Sequence, residues 1–185
     1  DIVIENLIAS DVNIDHNGVT AGGSVLRASS DSLITTTTTA IDVDVSGGTI
    51  GTTAEALRFA GGTLDMQTNA GAITVTSTAA LTLGGAALGG LTGVSASAGN
   101  SNLSVTTAAG AITVAELIDV NDGTVTLNAN GNLDINANIT AGTGAVDLDA
   151  GGTFDIAASS VLSASSGNIT IDAVNTTLNA GGAIT

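Results

Sequence analysis

The chain contains no cysteine, proline, tryptophan or tyrosine, and it has two phenylalanines and one methionine. Its basic residues are Arg27 and Arg58, and its one histidine is His16. Each absence removes a class of chemistry. Without cysteine there are neither disulfides nor thiolate metal sites, and cysteine usage says nothing about the redox compartment. Two arginines cannot supply the basic clusters that phosphate recognition needs, which argues against nucleic acid and anionic membrane surfaces as partners. Long apolar runs are missing as well. Met66 to Ala115 carries no formal charge and mean hydropathy is +0.47, yet Thr, Ser, Asn and Gly break the stretch throughout. No window approaches the ~20 predominantly apolar residues of a spanning helix. No secretory leader is visible, and the chain opens at Asp1 and stops inside a recurring pattern, as expected for a piece of a longer protein.

What remains is small and acidic. Of 185 residues, 30 are Ala, 28 Thr and 25 Gly, and 17 carboxylates give a net charge of −15 and a pI near 4.1. The acids are scattered through apolar alternation, and charged residues make up only 10% of the chain, so this is a folded acidic body, not a disordered tail. Hydrophobic content is 43%, but setting Ala aside leaves about 50 larger apolar residues, enough only for a thin core.

One unit recurs: a Gly or small residue, then alternating apolar and polar positions. It is seen in GTLDMQT from Gly62, GAITVTS from Gly71, SNLSVTT from Ser101, GAITVAE from Gly110, GTVTLNA from Gly123, GNLDINA from Gly131, GAVDLDA from Gly144, GTFDIAA from Gly152 and GNITIDA from Gly167. Period-two alternation rich in Val, Ile, Leu and Thr marks short strands. Their spacing implies an architecture. Leu103, Val125, Val146 and Ile169 are 22, 21 and 23 apart; Leu91, Ile112, Leu133 and Phe154 are 21 apart; Ile118, Ile139 and Val161 follow with steps of 21 and 22. A constant offset of this size predicts an all-β parallel β-helix (β-solenoid) of about 21 residues per coil, with two to three short strands per coil. Eight or nine turns at ~4.8 Å each would span roughly 40 Å. Asn17-Gly and Asn130-Gly would mark hairpins elsewhere, but hairpins do not produce a constant offset. The expected organisation is one solenoid over 1–185, with less regular coils at 1–60 and regular ones at 61–185. Ile41–Val45 reads as a strand and Thr35–Thr39 as an outward strand or a loop.

Several side chains invite a chemical reading. Asp42/Asp44 and Asp147/Asp149 stand at i, i+2 on strands, so each pair projects from one face. Beside Asp134, Asp155 or Asp172 from neighbouring turns, such hard oxygen ligands could hold Ca²⁺; the plainer reading is a solvated outer face. Gly61-Gly-Thr-Leu-Asp65 and Gly151-Gly-Thr-Phe-Asp155 lack the third Gly of the calcium-binding nonapeptide repeat. A carboxylate pair also suits glycoside hydrolysis, but basic partners and aromatic sugar platforms are too scarce to support an enzyme. His16 beside Asp11 and Asp15 could serve a metal or a proton relay, or simply sit at an exposed corner. Glu55 and Arg58 are spaced for a local ion pair, which would add little if exposed. Outward Thr-x-Thr steps suggest an ice-binding face, but the series Ser104/Thr106, Thr124/Thr126, Asp147/Asp149, Thr170/Asp172 breaks. Asn138, Asn168 and Asn175 begin glycosylation triplets.

The units GAITV, GTVTLNANGNLDINANITAGTGAVDLDAGGTFDIAA and GNITIDA, with GTIGTTAEALRF at Gly48 to Phe59, resemble the passenger regions of filamentous-haemagglutinin-like bacterial adhesins. The resemblance spans nearly the whole chain, most firmly residues 48 to 185. The Asn-Pro-rich secretion domain that such proteins carry at their start has no counterpart here. The resemblance implies a right-handed parallel β-helix, secreted and displayed on the cell surface as a stalk, adhesin or filament. The expected function is structural, without enzyme activity, cofactor or membrane insertion. Its partners would be neighbouring repeats or head-to-tail copies. The alternatives are a carbohydrate- or protein-binding module with Ca²⁺ on its acidic face, attaching to surface carbohydrate or other cells, and, more remotely, a β-helical polysaccharide lyase or hydrolase.

Overall fold

The structure is a computed structural model that describes residues 1–16, 23–36, 40–86 and 88–185. The Asn17-Gly step and Thr37–Thr39 lie outside the described residues. Strands stack in parallel as a β-solenoid of about seven turns, roughly 23 residues each, and no helix is present among the described residues. The turns are thus fewer and longer than the 21-residue period predicts.

A ladder that runs the length of the stack shows why. Ile2 pairs with Val25, and isolated bridges carry the register through Ile50 to Ile73. From there Ile73 pairs with Leu103, Leu103 with Val125, Val125 with Val146, and Val146 with Ile169. The last three steps are those expected from spacing. The step from Ile73 to Leu103 is longer because an excursion over 84–93 interrupts that coil. It also displaces one predicted position: Ile112 stacks on Leu81, not on Leu91, which belongs to the excursion. At the far end Ile139 stacks on Leu162 and not on Val161, one residue from the expected register, and Leu162 is the fully buried residue of the two.

The cross-section changes along the axis. In the lower coils a long strand, Val12–His16, pairs with Ala40–Val45, and that with Gly62–Thr68. The next coil answers Gly62–Thr68 with two short strands, Leu81–Leu83 and Val94–Ala96, on either side of the excursion. Those two continue upward separately, through Ile112–Val114 and Ile118–Val120 and beyond. The segment after Gly48 makes a second, smaller excursion. Residues 51–56 loop out, so that Ile50 and Leu57 meet Ile73 and Val75, only two residues apart in the next coil. Gly51, at φ 65°, begins that loop in a conformation other residues resist.

Alternation sorts the side chains. Val125, Leu127 and Ala129 point inward, as do Val146, Leu148 and Ala150, and the inward residues form one continuous core that includes Phe59 and Phe154. Each large residue buried this way contributes roughly 1.5–3 kcal/mol. Polar side chains staple one coil to the next at corners. The Oδ1 atoms of Asn6, Asn102, Asn132 and Asn138 accept the backbone N–H of Leu33, Thr124, Thr153 and Val161 at 2.9–3.1 Å. Glycine is needed at one stacked corner for close approach, not for φ: a Cβ at Gly144 would run into the carbonyl of Gly123, and one at Gly167 into that of Gly144.

Candidate functional site: an acidic chamber beneath a looped-out segment

The two aspartate pairs meet different fates. Asp147 and Asp149 are exposed, paired across coils with Thr126 and Asn128 below and with Thr170 and Asp172 above. Asp155 lies farther along the strand that carries Asp147 and Asp149, beyond Gly151 and Gly152, and stacks on Asp134 there, so neither joins the Asp147/Asp149 pair. Asp42 and Asp44 point outward from Ala40–Val45, between Asn13 and Asp15 of the coil before and Asp65 and Gln67 of the coil after. This outward face is covered. Asp42 is only 1% exposed and Asp65 fully buried.

The cover is the excursion over 84–93, and Asp65 holds its neck. Its Oδ2 accepts the Ala86 N–H at 2.9 Å and its Oδ1 the Gly93 N–H at 3.0 Å. Backbone bonds finish the closure, from Gly84 to the Leu64 carbonyl and from Met66 to that of Gly93, both at 3.0 Å. Asp65 is thus a structural acceptor, with its charge spread onto amide donors. The tip of the excursion reaches back across two coils. Gly89, at φ 52°, lies over Asn13 and Asp42, where a Cβ would come within 2.8 Å of Asp42 Oδ2 and 2.9 Å of Asn13 Nδ2. Beneath it is a cavity of about 30 Å³ lined by Asn13, Asp15, Asp42, Asp44, Gly89 and Leu91.

Neither oxygen of the Asp42 carboxylate has a hydrogen-bonding partner in good geometry. Burial, and next the charge of Asp65, push its pKa up to about 6; the Leu91 backbone amide offsets part of this, and Asp44 adds a little to the rise. A buried charge without a counter-charge favours its neutral form. Among the described residues, no three of His, Cys, Asp and Glu converge closely enough to hold a metal ion by themselves.

The other sequence candidates are placed as follows. His16 ends its strand half-buried against Gly23, its carbonyl accepting from the Ser46 amide and hydroxyl. Glu55 does not pair with Arg58. It pairs at 2.7 Å with Nε of Arg27, one coil below, because the 51–56 loop leans down the stack. Arg58 instead donates to the Ser30 carbonyl. The outward Thr series also shifts: Ser104/Thr106 meet Thr126/Asn128, not Thr124/Thr126, so Thr124 stands outside that ladder. Asn13 and Gly89 were not singled out by sequence reasoning, and Asp65 was considered only as the end of an incomplete calcium-binding repeat. Their signal was the pair of Gly-Gly steps, Gly84-Gly85 and Gly89-Gly90, between two strand triplets whose distance breaks the period.

The stacked parallel strands define the class, a β-helical repeat region. No family model, curated protein or solved structure matches the chain. No helix among the described residues is long and apolar enough to cross a membrane.

Proposed function

We propose that this chain is a stiff spacer, a stalk or filament segment of a secreted or surface-displayed bacterial adhesin of the filamentous-haemagglutinin-like kind, acting in cell attachment or matrix formation and without enzyme activity. The observation that carries the reading is the stack of parallel ladders around one continuous core made mostly of Val, Ile and Leu. Seven turns at ~4.8 Å make a rod of about 34 Å whose stiffness comes from backbone bonds between turns. Polar ladders cover most of its sides.

The upper coil presents the edge that head-to-tail stacking would use. Among the described residues, Ile169–Leu178 pairs only with the coil below it, and its inward Ile169, Ile171 and Ala173 are half-buried where their equivalents one coil down are buried. A parallel edge of this kind is a template for another coil. Its natural partners are further repeats of the same protein or a second copy stacked head to tail. Electron microscopy of the native surface material, with an antibody against this segment, tests the proposal. Labelling at regular axial intervals along rods supports it; labelling confined to compact particles without axial stacking would overturn it.

A further inference from the structure

We propose that the chamber beneath the excursion is a binding site for a hard divalent cation, with Asp42 as its anionic centre and Asn13, Asp15 and Asp44 completing the oxygen-rich wall.

Four observations carry this. Asp42 is 1% exposed, lines the cavity and has two carboxylate oxygens with no donor in hydrogen-bonding geometry. Such a group calls for a partner. The cavity, about 30 Å³, has room for one small occupant, since a single water needs roughly 10–15 Å³ measured this way. The protein's own cations are elsewhere: Arg27 is engaged with Glu55 and the Ser30 carbonyl, and Arg58 with the same carbonyl. The neighbouring carboxylates Asp44 and Asp65, in or beside the wall, repel a second charge and attract a cation.

The chemistry of the wall selects the occupant. Carboxylate and amide oxygens without nitrogen or sulfur ligands suit Ca²⁺ or Mg²⁺ better than zinc or copper. Because three carboxylates do not converge, the coordination is mixed, with water completing the shell. Ca²⁺, which accepts irregular oxygen shells, fits such a wall better than Mg²⁺, which demands near-ideal octahedral geometry. The cation would tie two successive coils to one another beneath the tip of the excursion.

The test uses the chain stripped with chelator and titrated calorimetrically with CaCl₂, and separately with MgCl₂, against NaCl of matched ionic strength. Thermal unfolding is followed in parallel. The expected result is saturable binding of one Ca²⁺ and a rise in Tm beyond that given by NaCl. Asp42→Asn should weaken binding by more than the roughly 10–100-fold that losing an outer partner of a metal site costs. Asp147→Asn/Asp149→Asn should bind as the parent does. Three results overturn the proposal: no saturable binding to the parent chain, binding unchanged in Asp42→Asn, or binding lost in Asp147→Asn/Asp149→Asn. An Asp42→Asn chain that folds with a higher Tm while the parent ignores Ca²⁺ would assign the chamber to a neutral Asp42 carboxyl, and that also overturns it.

Discussion

Asp42 and Asp149 occupy equivalent kinds of position, an outward site between two inward apolar residues of a solenoid strand, yet one is buried and the other stands in solvent. The strands carrying them do not differ in pattern: Ile41, Val43 and Val45 in one, Val146, Leu148 and Ala150 in the other, all facing the core. What differs is a segment more than forty residues after Asp42 that leaves its own coil and lies back over the earlier ones. In a solenoid, the inside is set by local alternation, whereas the character of the outside is set by insertions. Among the described residues the upper coils have no such cover, and there Asp147 and Asp149 stand in solvent.

The first way to break this comparison is at the core, which the two regions are held to share. Leu127 is fully buried, stacked in register between Val105 and Leu148. Leu127→Ala should cost about 2–5 kcal/mol, the range for a large-to-small change where neighbours cannot collapse. Leu7→Ala, half-buried in an end coil, should cost clearly less. Urea denaturation of both variants reads the difference; equal costs would mean that burial in the stack does not grade from middle to end.

How far these features were legible follows from the same geometry. The ladder Leu103, Val125, Val146, Ile169 could be counted off because the coils between carry no insertion, and alternation alone identified its inward members. Counting back 21 residues from Ile112 gave Leu91, since a period cannot be carried through an excursion of unknown length; the true partner is Leu81. Asp42 and Asp44 were visible as an i, i+2 pair, but their burial was not. It depends on Gly89 reaching across two coils, a non-local contact that leaves no mark on residues 42–44. The Glu55–Arg58 pair failed for a related reason: spacing along a strand ignores the coil stacked below, where Arg27 waits.

A smaller effect separates covered from open acids directly. Asp65 accepts two backbone amides and is fully buried, so Asp65→Asn turns one acceptor into a donor facing a donor. The expected loss is about 1–3 kcal/mol, with faster amide exchange at Ala86 and Gly93 as the excursion opens. Asp147→Asn, on the open face, should stay within about 0.5 kcal/mol of the parent. If both substitutions proved equally mild, the excursion would not depend on its neck.

The smallest effects lie within the upper coils, where two aspartates should titrate in opposite senses. Asp134 has its pKa raised, by desolvation first and then by Asp155 stacked beside it. Asp122 has its pKa lowered, because its Oδ1 accepts the Thr143 backbone N–H at 2.9 Å and the Thr143 hydroxyl at 2.8 Å. The signs follow from linkage. Ionised Asp134 costs stability at neutral pH, and the cost is released as pH falls through its raised folded-state pKa toward the ordinary 3.8. Asp134→Asn should therefore be more stable than the parent at pH 7, with the advantage disappearing in acid. Ionised Asp122 adds stability above its ordinary value, and that stability is lost as pH falls below 3.8 through the lowered folded-state pKa. Asn at this position keeps the positive φ of 61° that Asp122 adopts and one acceptor oxygen, but it loses the charge that strengthens both bonds. Asp122→Asn should be less stable at pH 7, and its deficit should close only at pH values where Asp134→Asn already matches the parent. Tm measured from pH 7 down to 3 for the parent and both variants checks the order of the two convergences; a reversed order would mean that stacking against Asp155 does not govern Asp134.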